Sequence, residues 1–382
     1  MRWRTTVRAL AGLVAIGLVA TPALGQAALP AHRVVNASPP PTYKYLTSIS
    51  AVSADDVWAV GQIWYDAGDR TLIQHFDGTG WTRFPSPNPS MKRNELDGVT
   101  VIAPDDAWAV GVFDSNGLNH PMILHWNGKT WSQVPDLMTR SYDYSGLTSV
   151  VALSASDVWA VGYSNLSPLI LHWDGTSWSR QDAENGGFDI LEFDAITAIS
   201  PKRLWLIGNG DFDEEGGPDG SMAQRWDGTE WTVEYAGGRR GWFSSVYYDD
   251  IAASSDKDVW VVGGKQGNTL VLHWTGAGWT RPHSFPTYAG FVGSVVDRAA
   301  DDVWMVGGHD QHSVIWHYDG STWTTSETGL VGNLDATDST SADDVWAVGV
   351  IGSYPGGRCL IEHWDGDHWA MTKGCAGYRK TP

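Results

Sequence analysis

The chain has 382 residues, of which 42% are hydrophobic and 18% are charged, and it contains 44 Gly. The apolar share is large enough for a sizeable core, and many Gly with few charges are typical of turn-rich β proteins rather than helical ones. The formal net charge of −19 disfavours contact with nucleic acid phosphates, so we expect no nucleic acid partner.

The first 25 residues have the pattern of an export signal. Arg2, Arg4 and Arg8 precede an apolar run over 9–20, and Ala23-Leu24-Gly25 supplies small residues for cleavage. The apolar run is too short to span a bilayer. We therefore predict a secreted, extracellular protein without membrane insertion.

A motif of the form Asp-Val-Trp-Ala-Val-Gly recurs along the chain, followed each time by an apolar-His-aromatic-Asp-Gly-x-x-Trp segment. A period of about 40 to 55 residues with short β segments is typical of propeller blades. The prediction is an all-β, seven-bladed β-propeller over 46–378 with four antiparallel strands per blade, after a linker over 26–45. The seven first Trp of the motif are Trp58, Trp108, Trp159, Trp205, Trp260, Trp304 and Trp346. The blades are predicted to start near residues 46, 96, 147, 193, 248, 292 and 334.

The first repeat shows how a blade is laid out. Residues 46–53 are predicted as strand A, 57–61 as B, 72–76 as C and 81–84 as D. The A–B turn is too short to run from the outer edge of a blade back to the axis, whereas the D–A connections are long and vary. Strand A is therefore predicted to be innermost, and each blade to be complete within its own repeat.

The two cysteines, Cys359 and Cys375, lie in the last repeat. Hairpin pairing of strands C and D sets them opposite each other, which in an exported protein predicts a disulfide. The alternative is a free or catalytic thiol pair.

The repeat resembles that of secreted bacterial β-propellers with Asp-Val-Trp-Ala-Val-Gly and His-Trp-Asp-Gly-Thr-x-Trp motifs, over Leu46–Trp369. The motif order is also similar to that of tectonin-type lectin repeats, although those blades are shorter and have no His column. This second resemblance suggests carbohydrate binding.

Six of the seven repeats have a His at the same position, and Arg225 occupies it in the fourth. A metal site or a general base is one interpretation. Because the histidines recur once per blade around a wide ring, we instead predict hydrogen-bonded structural residues. They are His75, His125, His172, His273, His317 and His363.

Function is expected where the repeat is broken, on the face that carries the B–C and D–A connections. Non-repeat aromatic and basic residues there suit stacking on sugar rings or gripping a peptide, and the alternative is that they fold back onto the blade ends. The predicted ligand-binding residues are Trp64, Tyr65, Tyr142, Tyr144, Arg239, Arg240, Trp242 and Tyr288.

The longest B–C insertion places carboxylates at positions 1, 3, 5 and 9 and Gly at position 6, as a Ca²⁺ loop would. Met222 stands at position 12, where an EF-hand has Glu. Calcium is therefore one hypothesis and a solvated acidic loop the other. The candidate ligands are Asp211, Asp213, Glu215 and Asp219.

The second residue of strand A is acidic in four repeats. If strand A is innermost, these carboxylates approach the axis, where they would bind a cation or act as acid and base because like charges raise one another's pKa. The alternative is that they cap backbone N–H groups. The four are Asp97, Asp194, Asp249 and Asp335.

Taken together, these features predict a monomeric, non-enzymatic recognition module that binds a glycan or a protein ligand on the B–C and D–A face. The second hypothesis is a secreted glycan-active hydrolase or lyase that uses the axial carboxylates with Tyr142 or Tyr144. No cofactor is expected other than Ca²⁺ at the acidic loop.

Overall fold

The computed structural model describes residues 43–135, 144–211, 220–237, 246–265, 268–286, 290–352 and 356–374. Within these residues all the regular structure is β-strand, in five four-stranded sheets and one seven-stranded sheet. Within each sheet, every strand pairs antiparallel with its neighbours in sequence order. The fold is the predicted all-β, seven-bladed propeller.

Each blade runs outward from strand A to strand D. The first two blades comprise β1 (Tyr43–Ser53), β2 (Asp56–Trp64), β3 (Arg70–Phe76), β4 (Trp81–Phe84), β5 (Asn94–Ala103), β6 (Asp106–Ser115), β7 (Leu118–Trp126) and β8 (Trp131–Gln133). The third and fourth comprise β9 (Ser145–Ser154), β10 (Asp157–Ser164), β11 (Ser167–Trp173), β12 (Trp178–Gln181), β13 (Ile190–Ser200), β14 (Arg203–Asp211), β15 (Gly220–Trp226) and β16 (Trp231–Gly237). The last three comprise β17 (Val246–Ser255), β18 (Asp258–Lys265), β19 (Asn268–Trp274), β20 (Trp279–Thr280), β21 (Phe291–Ala299), β22 (Asp302–His309), β23 (His312–Tyr318), β24 (Trp323–Ser341), β25 (Asp344–Ile351), β26 (Arg358–Trp364) and β27 (Trp369–Met371).

The junction between the sixth and seventh blades corrects one expectation. No loop separates strand D from the next strand A there, because β24 continues through both and joins the two blades into the seven-stranded sheet. Its first part pairs with β23, and Gly332–Ser341 pairs with β25. The sixth repeat is the shortest, so too few residues follow its strand D to form a separate loop before the next strand A.

The C–D hairpins explain the Asp-Gly of the repeat. The carboxylate of Asp77 accepts hydrogen bonds from the N–H groups of Thr79 and Gly80, and Gly78 has a φ of 79°. Such a turn favours an Asp or Asn followed by a residue that tolerates positive φ, although Thr275 fills the first position in the fifth blade. Asn127 fills the Asp position in the second blade and accepts the N–H groups of Lys129 and Thr130.

The core lies between blades. Trp58 is 1% exposed and is packed against Trp126 and Trp131 of the next blade, with ring centroids 5.1 and 5.3 Å away. Its six equivalents are also buried, each 4% exposed or less. The predicted burial of these tryptophans against neighbouring blades is confirmed.

The ring is closed by packing of the seventh blade on the first. Trp346 contacts Trp81 at 5.6 Å, and both belong to the same buried cluster as Leu46. The Asp338 carboxylate accepts the N–H of Ala51 at 2.8 Å. Within the described residues, closure therefore uses these contacts and a backbone hydrogen bond from the Lys44 N–H to the Gly357 carbonyl, and both blades are complete without an exchanged strand.

Candidate functional site

The His column is part of the scaffold, as predicted. In each of the six blades, His Nε2 lies 2.6–2.9 Å from the Oδ1 of the Asp that opens strand B. The imidazole also stacks on the Trp of the motif, with centroids 3.9–4.2 Å apart. Each of these imidazoles is bonded and stacked within its own blade, so the histidines do not converge on a site.

The fourth blade replaces both polar members of this arrangement, which the sequence analysis noticed only in part. Arg203 stands where the other blades have Asp, and Arg225 stands where they have His. The Arg225 guanidinium donates to Glu234 and lies 5.9 Å from the Trp205 ring centroid. Two arginines cannot form the Asp–His hydrogen bond. In this blade an ion pair between Arg225 and Glu234 takes its place.

A bulge in strand A explains why its second residue faces the axis. Leu46 pairs with Gly61 and Ser48 with Val60, so Thr47 between them is not opposite any residue of β2 in the strand register. The other six blades have the same shift at the same position. A Cβ on Gly61 would lie 2.2 Å from the Tyr45 carbonyl oxygen, so the last Gly of the motif permits this close approach.

The bulged residues line a central cavity of about 310 Å³ to which all seven strands A contribute. This arrangement places strand A innermost, as predicted, and brings the four predicted carboxylates into one channel. Thr47 and Thr148 instead donate to backbone carbonyls of the next blade, at 2.6 and 2.7 Å.

The electrostatics of the channel favour protonated carboxyls. Burial, and then the nearby charge of Glu95, raises the pKa of Asp97 to about 7. Burial and the charge of Asp250 raise the pKa of Asp249 to about 7, although part of its side chain is open to the channel. The pKa of Asp335 is raised to about 6 by burial, and that of Asp194 is also raised well above its usual value. No described Lys or Arg lines the cavity to reverse these shifts.

Other channel carboxylates bind backbone between blades. The Asp250 carboxylate accepts from the Ser294 hydroxyl at 2.7 Å and from the Val295 N–H at 3.0 Å. Asp338 closes the ring in a similar way. The capping role that the sequence left open therefore belongs to Asp250 and Asp338, which are close in sequence to the predicted residues Asp249 and Asp335. Among the predicted residues, Asp194 accepts a hydrogen bond from the side-chain amide of Asn209.

The predicted ligand-binding residues do not all lie in loops. Trp64 is the last residue of β2, and its ring contacts Tyr43 and Tyr45 at 5.2 and 5.9 Å. Tyr65 is partly buried against the core between the seventh and first blades. Tyr144 is 48% exposed and lies 5.6 Å from Tyr163. The remaining five, Tyr142, Arg239, Arg240, Trp242 and Tyr288, lie outside the described residues.

The calcium and disulfide predictions fall largely outside the described residues. Asp211 ends β14, but Asp213, Glu215 and Asp219 lie in an undescribed segment, so the Ca²⁺ loop stays a prediction. Cys359 lies in β26 beside the core and Cys375 is outside the described part, so their bond also stays a prediction.

The described part of the chain contains neither a metal-binding cluster nor a membrane-spanning helix. No three His, Cys, Asp or Glu side chains in it are placed to hold a metal ion. No helix in it is long and apolar enough to cross a membrane.

A second cavity, of about 800 Å³, lies at the starts of strands A in the last three blades. We call it the rim cavity. Its lining includes Tyr247, Phe291, His309, Val331 and Asn333, none of which the sequence analysis selected. Tyr247 and Val331 are 39% and 51% exposed. The sequence does mark this region, because only in the fifth and sixth repeats is the last Gly of the motif followed by a second Gly (Gly263-Gly264 and Gly307-Gly308).

No known family's sequence model matches the chain, and no curated protein matches it in sequence. Among solved structures, it is similar to YCF48 from Cyanidioschyzon merolae, with 15% identity, a TM-score of 0.54, and coverage of 86% of this chain and 98% of that one. It is equally similar to "YCF48 bound to D1 peptide", again with 15% identity and a TM-score of 0.54, over 86% of this chain and 95% of that one. A polysaccharide lyase of family PL25, an ulvan lyase, has 9% identity and a TM-score of 0.50 over 87% of this chain and 92% of that one. At these identities the likeness shows the fold, and it places the chain among the β-propellers.

Proposed function

We propose that this chain is a secreted recognition module that binds a glycan or protein ligand on the face carrying the B–C and D–A connections. The observation that carries the proposal is the rim cavity, which opens on that face and is lined by side chains that break the repeat. By contrast, the side chains of the repeated motifs pack in the core or form the Asp–His pairs. Ligand sites are typically concave, with a few polar groups on a mainly apolar wall.

Three further features support this reading. The amino-terminal sequence has the pattern of an export signal. The net charge of −19 favours solubility and opposes nucleic acid binding. One similar propeller, YCF48, has been solved with a peptide bound, so a fold of this kind accommodates a protein ligand.

The test is to apply the mature chain, without its first 25 residues, to a glycan array and to an array of extended peptides. We expect retention on one of them. The matched control is His172→Gln, in the scaffold column, which should lower stability and leave binding by the folded fraction unchanged. No retention on either array would contradict the proposal.

The channel supports a second candidate, a glycan-active hydrolase or lyase. The pKa of Asp97 and that of Asp249, both about 7, would suit a general acid at neutral pH. Turnover of polysaccharides by the wild-type chain, lost in Asp97→Asn and in Asp249→Asn, would establish this function. Binding of a polysaccharide without its turnover would support the recognition module and not the enzyme.

A further inference from the structure

The paired glycines of the fifth and sixth blades make room for the rings that border the rim cavity. In most blades the residue after the last Gly of the motif has a side chain, such as Val112 in the second blade and Val350 in the seventh. In the fifth and sixth blades it is Gly264 and Gly308. The missing side chains leave space on the sheet beside the channel mouth.

Aromatic rings of strand A occupy that space. The Tyr247 ring lies directly over Gly264, where an added Cβ would be 2.1 Å from ring atom Cζ. The Phe291 ring lies against Gly308 and Gly293. A Cβ added to either glycine would be 3.0 Å from the nearest atom of this ring. Both rings also border the rim cavity. A ring supported by backbone on one side and open on the other is a stacking platform.

Polar groups also line the rim cavity. Asn333 occupies the same register position in the seventh blade as Phe291 does in the sixth, and its Oδ1 would be 2.4 Å from a Cβ on Gly308, so it adjoins the Phe291 ring. His309 and Gln311 line the cavity as well. Amide and imidazole groups both donate and accept hydrogen bonds, as sugar hydroxyls require.

The turn between β22 and β23 is short. It consists of only Asp310 and Gln311, with φ of 45° and 69°, so this described connection does not reach over the rings. The volume of about 800 Å³ lies within the range of about 300–1,000 Å³ common for small-ligand sites.

The charge of the rim cavity selects against anions. Asp310 lines it with its side chain 84% exposed, and burial, followed by the nearby charge of Asp249, raises the pKa of the Tyr247 phenol. None of the described residues that line it is Lys or Arg. The charge of Asp310 would repel an anionic ligand, and no described cation of the lining would offset this repulsion.

We propose that the rim cavity binds a saccharide without anionic groups, with sugar rings stacked on Tyr247 and Phe291 and hydroxyls bonded by Asn333, His309 and Gln311. This inference rests on the proposed recognition function and names its ligand class. An extended peptide that adds a strand fits less well, because the backbone N–H groups of Gly332 and Gly352 already bond Gln311 and Val331.

The test is calorimetric titration of the mature chain with three tetrasaccharides. Cellotetraose and N-acetylchitotetraose are the neutral probes, and tetragalacturonate is the anionic one. We expect at least one neutral probe to bind and tetragalacturonate not to bind. Tyr247→Ala and Phe291→Ala should each weaken binding by about three- to tenfold, the loss of one stacked ring.

Gly308→Val tests the geometry separately from the ring itself. Val is the natural residue at this position in two other blades, and here it should displace Phe291 and Asn333 and weaken binding while the chain stays folded in thermal denaturation. The matched control is Met91→Ala, which removes a 77% exposed apolar side chain of another connection on the same face. It should leave binding unchanged.

Three outcomes would overturn the inference: no binding of either neutral probe, binding of tetragalacturonate as tight as theirs, or equal losses in Met91→Ala and Tyr247→Ala. If the tetrasaccharides fail but the peptide array retains the chain, the ligand class is wrong and the recognition function stands. If neither the glycan array nor the peptide array retains the chain, the recognition function fails as well.

Discussion

Glu362 offers a test of the energetics of the blade interfaces. It lies in β26, is 2% exposed, and its Oε2 has no hydrogen-bond partner among the described residues. Its counterparts in the first and fourth blades are Gln74 and Gln224, each 0% exposed. Glu362→Gln therefore introduces a side chain that this fold already accommodates at two equivalent positions.

The expected effect follows from the pKa of Glu362. Burial raises it from 4.5 to about 7, and a hydrogen bond from Thr328 opposes the shift without cancelling it. The folded-state pKa is above the unfolded one, so the protonated carboxyl stabilises the fold fully below pH 4.5, and this stability is lost as the pH rises through about 7. The shift corresponds to about 3 kcal/mol at pH 8. Because Gln does not ionise, Glu362→Gln should be more stable than the wild type by about 2–3 kcal/mol at pH 8.

The assay is urea denaturation of both chains at pH 4.5, 6 and 8. The difference between them should grow with pH and nearly vanish at pH 4.5. A difference that does not change with pH would show that Glu362 is not a buried ionisable group. A less stable variant at pH 8 would show that the lost carboxylate is paired in the folded protein.

Three other predictions test the scaffold and the undescribed segments. Trp159→Ala removes a ring that is 4% exposed and should cost about 3–5 kcal/mol in urea denaturation; full stability would mean that the packing assignment is wrong. Cys359 and Cys375 should be bonded in exported protein, and mass spectrometry that detects two free thiols would disprove this. Trp242→Ala should weaken ligand binding several-fold with little change in the melting temperature, and a large loss of thermal stability would place Trp242 in the core instead.

The sequence alone determined the architecture because the repeat encodes it locally. Each copy carries its own strands, its Asp-Gly turn and its buried Trp, so a blade can be recognised without knowing its neighbours. The structural role of the His column followed from the same periodicity, and His172 bonded to Asp157 at 2.8 Å bears it out. The inner position of strand A followed from the lengths of the connections.

Contacts between blades decided the rest. The bulge that turns Asp97 towards the axis is a register shift, and residue order alone does not reveal it. The rim cavity depends on Gly308, Phe291 and Asn333, which come from three strands and two blades. Long insertions are the most visible departures from the repeat in the sequence, whereas this cavity lies beside a two-residue turn. Periodicity specifies what every blade shares, and only the tertiary structure shows which departures from it meet in space.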